Sequence, residues 1–74
     1  MNLNFKEGTF VVITTEDSQN NKITYSGLVS YTSDKMIGFS KAAKFLQYAN
    51  GKSYVFHNTH FSIDKSWVKE YVEV

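Results

Sequence analysis

The sequence predicts an all-β domain, a small five-stranded barrel, and three observations carry that prediction. Of the 74 residues 42% are hydrophobic and 16% aromatic, which is rich enough for one packed core and argues against disorder. β-Branched and aromatic runs alternate with short polar clusters of turn formers. A glycine, Gly27, interrupts the most sharply alternating run, as happens where a curved sheet turns a corner. A chain of this length supports one core, so residues 1–74 form a single domain.

Thr9 to Thr15 is a β-branched run with apolar side chains on both faces, as in a strand that is covered on two sides. Glu16 to Asn21 is polar and reads as an exposed loop closing a hairpin. From Lys22 the alternation puts Ile23, Tyr25, Gly27, Val29 and Tyr31 on one face and Thr24, Ser26, Leu28 and Ser30 on the other. Thr32-Ser33-Asp34-Lys35 supplies a second turn, and Met36 to Phe39 a short third strand.

Two readings compete between residues 41 and 49. Ala42, Phe45, Leu46 and Ala49 fall at helical spacing, with Ser40 as a cap and Gly51 just past the end. Asn50-Gly51 is also a two-residue hairpin signal that would set Phe45 opposite Phe56, and this reading is slightly favoured. Tyr54 to Ile63 reads as extended and Asp64-Lys65-Ser66 as a tight turn. Trp67 to Val74 forms the last strand, with Val68, Val72 and Val74 on one face.

Tyr25-Ser26-Gly27-Leu28-Val29-Ser30-Tyr31, followed by Asp34 and Met36, resembles the first Sm motif. With five short strands and a tight turn before the last, the chain resembles the SH3-like and Sm-like small barrels. The resemblance implies a strongly bent barrel and, more weakly, assembly into rings. The arginine-glycine pair of the second Sm motif has no counterpart, since Asp64-Lys65-Ser66 stands before Trp67, and the family's RNA contact is not carried over. A leading helix, usual in Sm-like proteins, has little room before Thr9. Fold alone does not fix function.

Composition narrows the functional classes. Cysteine is absent and histidine scarce, so neither disulfides nor a structural zinc site is expected. No apolar run approaches the ~18 residues of a membrane span, and Met1 to Glu7 lacks the apolar core of a signal peptide, so a cytoplasmic, membrane-free location is expected by default. The formal charge is +1 and every basic residue is lysine, which disfavours sequence-specific nucleic-acid readout. No nucleophile elbow, phosphate loop or spaced acid pair is present, so neither an enzyme nor a cofactor is expected.

Three constellations remain. No acid lies between Asp34 and Asp64, where Lys35, Lys41, Lys44 and Lys52 are interleaved with Phe39, Phe45, Tyr48, Tyr54, Phe56 and Phe61. Such a face could bind single-stranded nucleic acid, with lysines on phosphates and rings stacked on bases; Tyr48 and Tyr54 are the candidate platforms. The ordinary alternative, favoured in so short a chain, makes the rings core and the lysines a solvated rim; ring exposure decides between them. His57-Asn58-Thr59-His60 places two histidines on opposite strand faces, which does not converge on one metal ion. Trp67, with Tyr71, Tyr25 and Tyr31, is a candidate aromatic patch for a protein partner, again set against a core role.

The leading expectation is a non-catalytic protein-binding module, a stand-alone adaptor or inhibitor of a larger protein; the size suits a phage product directed at a host bacterial target. Single-stranded RNA or DNA binding is the second expectation, and self-assembly as a homo-oligomer through strand edges the third.

Overall fold

Alternating apolar positions and the polar clusters between them organise the chain into five strands: β1 (Phe10–Glu16), β2 (Lys22–Thr32), β3 (Met36–Gln47), β4 (Ser53–Asp64) and β5 (Val68–Glu73). The computed structural model describes residues 3–74, with residues 58 and 59 described by their backbone alone. A 3-10 turn, η1 (Lys65–Trp67), precedes β5. The strands form one antiparallel sheet in the order β4-β3-β2-β1-β5. Among the described residues no helix is long and apolar enough to cross a membrane.

The sheet is open: β4 and β5 are its two ends and do not pair with each other. The five strands of the expected small barrel are thus present as an open, unclosed sheet. β5 has six residues and is matched to β1, whereas β4 has twelve and continues beside β3 to the far hairpin, so most of β4 has no strand to close against.

The helix considered for residues 41–49 is absent, because the segment continues β3. Phe45 pairs with Thr24 on one side and Val55 on the other, and Leu46 with Ile23 and Tyr54. Two-sided pairing outweighs the helical spacing. The expected short third strand and the segment after it are thus one twelve-residue strand with a bulge at Lys41, whose φ is 50°.

The β3–β4 hairpin is also one residue longer at its tip than Asn50-Gly51 suggests. Tyr48 N donates to Lys52 O (2.8 Å), Gly51 N donates to Tyr48 O (3.0 Å), and Gly51 has φ 92°. A three-residue loop of this kind sets Phe45 opposite Val55 rather than Phe56, which faces Lys44 instead.

Bulges decide which side chains meet the core. At Gly27 the β2–β3 register slips, and a β-carbon there would stand 2.9 Å from Ala42 Cα and Cβ and 3.2 Å from Ser40 O. The glycine corner expected from sequence is present, and it lets the backbone of β3 press onto β2. A second slip between Val29 and Tyr31 turns Tyr31 away from the face of Tyr25 and Val29, so the single-face pattern expected for β2 breaks at its end. A third, between β1 and β5, puts Val68 opposite Thr15 and Tyr71 opposite Ile13. Val68 and Tyr71 therefore pack on the core while Val72 and Val74 are exposed, in place of the expected shared face for the three valines.

The core occupies one half of the inner face: Val11, Ile13, Tyr25, Val29, Ile37, Phe39, Ala42 and Ile63 from the sheet, with Leu3 and Phe5 laid over them. Phe5 meets Tyr71 edge-on at 5.3 Å between centroids. Lys65 Nζ donates to Asn4 Oδ1 (2.8 Å), which ties the leading segment to η1. Beyond this cover, no layer lies across the outer part of the β3–β4 hairpin among the described residues.

Candidate interaction surface

Lys44 is the centre of the uncovered half. Alternation after the Lys41 bulge puts Lys44 on the inner face, opposite Tyr25 on β2 and Phe56 on β4. Its Nζ lies 5.6 Å from the ring centroid of Phe61, 5.8 Å from Tyr25 and 6.0 Å from Phe56. An ammonium over three ring faces is held by their quadrupoles, at the outer limit of effective range for each. Tyr25 is itself fixed by Phe39 (6.4 Å, nearly parallel) and by Phe61 (5.5 Å, edge-on). Burial pushes the Tyr25 hydroxyl pKa above its ordinary value.

Two open depressions border this cluster. One, of about 440 Å³, is lined by Lys44, Val55, Phe56, His57 and Phe61. The other, of about 260 Å³, is lined by Thr15, Glu16, Asp17, Ile23, Tyr25 and Trp67. Toward the hairpin tip Tyr48 and Tyr54 meet edge-on at 5.8 Å. Phe45, Tyr48, Tyr54, Val55 and Phe56 are all between 38% and 52% exposed, and all lie on this one hairpin. Exposed large apolar side chains gathered on one element mark an interaction surface more often than singly scattered ones do.

The residues singled out from sequence do not fall on one surface. Tyr25 is buried, and it shares the smaller depression with Trp67, which is 54% exposed. Tyr31 sits on the opposite face of the sheet, its hydroxyl 2.8 Å from Ser62 Oγ, and Tyr71 packs against Phe5. The four lysines also separate. Lys35 lies in the β2–β3 turn, where its carbonyl accepts from Lys65 N; Lys41 is at the bulge, Lys44 among the rings and Lys52 in the hairpin loop at the other end of β3. Of the six rings interleaved with them, Phe39 is core and Phe61 half-buried, whereas Phe45, Tyr48, Tyr54 and Phe56 are exposed. His57 borders the larger depression and His60 is exposed; the side chains of Asn58 and Thr59, and Met1 and Asn2, lie outside the described residues.

Sequence reasoning missed Val55 and the role of Lys44. The available signal was the apolar character of both faces of 45–48 and 54–56, which a terminal hairpin cannot bury on both sides.

The loops at the sheet's ends are locally braced. Asp17 accepts from Gln19 N, Asn21 N and Asn21 Nδ2, and these bonds, the Asn21 side chain foremost, hold its carboxyl below the ordinary range. Asp64 accepts from Ser66 N (2.8 Å); hydrogen bonding from Ser66 is the main cause of its lowered pKa, with Lys35 adding a smaller charge effect. Asp17 lies off the β3–β4 hairpin, and Asp64 stands at its base, at the end of β4 away from the tip.

Comparison of the chain with protein-family models, with curated proteins and with solved structures finds no match in any of the three.

Proposed function

We propose that this chain is a non-catalytic protein-binding module, an adaptor or inhibitor that seats its partner on the β3–β4 hairpin. The observation that carries the reading is the run of exposed Phe45, Tyr48, Tyr54, Val55 and Phe56 on a hairpin whose β4 edge has no neighbouring strand. Aromatic anchors beside an unpaired edge offer a partner apolar burial and main-chain hydrogen bonds together. Five strands, the Gly27 corner and the tight turn before β5 support placing the chain with the SH3-like and Sm-like small barrels, as an open form of that architecture.

Single-stranded nucleic acid is the weaker reading. Its lysines are spread along the whole length of β3, with Lys35 and Lys52 beyond its two ends, and Lys44 already lies over the Phe56 and Phe61 rings on which bases would stack. The deciding experiment is selection from a displayed library of random linear peptides, followed by rebinding to Tyr54→Ser/Phe56→Ser. Ligands that lose affinity for the variant support the module. Failure to recover any ligand, together with salt-sensitive binding of oligo(dT) or oligo(U) to the wild-type chain, would replace it with the nucleic-acid reading.

A further inference from the structure

We propose that the partner presents an extended segment in which carboxylates alternate with apolar residues, and that this segment adds to the free edge of β4 with a carboxylate over Lys44. The inference rests on the protein-binding reading above and specifies the chemistry of the partner.

Three features converge on it. β3 is the only strand that pairs with β4 among the described residues, so around residues 53–57 the outer edge offers N–H and C=O groups to an incoming strand. Charge is unevenly divided along the chain: residues 35–63 hold four lysines and no carboxylate, and the remainder holds four lysines and seven carboxylates. An acidic segment is therefore drawn to the hairpin and repelled from the Glu16–Asp17 loop and from Glu70 and Glu73 on β5. Lys44 supplies the specific contact. Its ammonium has aromatic neighbours and no carboxylate partner among the described residues, and it borders a depression of about 440 Å³ walled by Val55, Phe56 and Phe61. A strand alternates its side chains, so a segment lying along β4 can set its apolar residues on the outer face beside exposed Phe45 and Val55, and its carboxylates on the inner face, within reach of Nζ. There the ion pair would form against apolar walls, where charge attraction is stronger than in open water.

A nucleic acid could use the lysines but not the strand edge. A second copy could use both, through the Glu70–Glu73 segment of its own β5, so the test must separate these occupants.

The same peptide selection, read for composition, provides the test. Recovered ligands are expected to be rich in Asp and Glu alternating with apolar residues, and to lose about tenfold or more in affinity for Lys44→Gln. On binding they should slow hydrogen exchange at amides in residues 53–57. Circular dichroism checks that Lys44→Gln is folded; if it is not, Lys41→Gln/Lys52→Gln takes its place, with a smaller loss expected.

Ligands without acidic bias that bind Lys44→Gln as tightly as wild type overturn the inference while leaving the protein-binding reading intact. No ligand at this face overturns both. Oligo(dT) that competes with the ligands and protects the same amides makes nucleic acid the occupant and overturns the inference. So does concentration-dependent self-association that disappears in Glu70→Lys/Glu73→Lys, which assigns the edge to β5 of a second copy.

Discussion

The ring of Tyr31 occupies the space that a side chain at Gly38 would need. A β-carbon at Gly38 would overlap Tyr31 Cε1 and Cδ1, and the hydroxyl beyond them sits 2.8 Å from Ser62 Oγ. Tyr31 thus bridges β2, β3 and β4 on the outer face, across the one position in β3 that leaves room for it. Because the ring is exposed it can swing aside, so Gly38→Ala should cost only about 1 kcal/mol, from lost packing and one surface hydrogen bond. In a Tyr31→Ala background the same change should cost nothing, or stabilise slightly by restricting the unfolded chain. Urea denaturation of the double-mutant cycle measures this; strictly additive effects would contradict the bridge.

Gly27→Ala should be more damaging. The obstacle there is the backbone and β-carbon of Ala42, which cannot rotate away, so the bulge must open at a cost of about 1–3 kcal/mol. Chemical denaturation should show Gly27→Ala below Gly38→Ala in stability; the reverse order would mean that the β2–β3 bulge is readily deformed.

Ile37→Ala, at a fully buried position, should destabilise by about 2–5 kcal/mol. Val55→Ser and Phe56→Ser, at positions about half exposed, should move the thermal midpoint far less while abolishing partner binding. Paired melting and binding measurements check the separation. Equal losses of stability would place Phe56 in the core and remove it from the interaction surface.

How much could be read from the sequence divides along the bulges. The existence of β1, β2 and β5, the polar loop after β1, the Gly27 corner and the turn at Asp64-Lys65-Ser66 follow from local chemistry, and the structure holds them, whereas the third strand is far longer than local chemistry suggests. Side-chain facing was legible only up to the next register slip. Period-two alternation put Tyr25 and Val29 on one shared face, as the structure does, and then failed at Tyr31 and at Val68 against Val72, where one extra residue reverses every face that follows. The same limit applied to the site. The lysine-aromatic segment was visible as composition, but which rings are core and which are open depends on the bulge at Lys41 and on Leu3 and Phe5 covering only one half of the sheet.

Alkaline titration followed by tyrosine absorbance should show a late-ionising component that Tyr25→Phe removes. Burial raises the Tyr25 pKa above 10.0, so its contribution to stability is complete below that value and is lost as pH rises through the folded-state pKa. A late end of the titration that Tyr25→Phe leaves unchanged would show that the Tyr25 ring is not held as described.

At the acid end the sign reverses. Asp17 and Asp64 have lowered pKa values, so their stabilisation is complete above 3.8 and is lost as pH falls through the lower folded-state values. Asp64→Asn should flatten the stability profile below pH 3.8 and loosen the η1 turn by weakening its bond from Ser66 N. The effect is small because both carboxylates are exposed. An unchanged acid profile would mean that the cap contributes nothing.

Leu3 and Phe5 cover one half of the sheet and leave the β3–β4 hairpin bare, so the two halves carry unequal shares of the fold's stability. The covered half tolerates little change, because each of its positions supports the cooperative unit. The bare half can vary in sequence with small effect on folding, and a lineage could retarget the hairpin to a new surface while keeping the same scaffold.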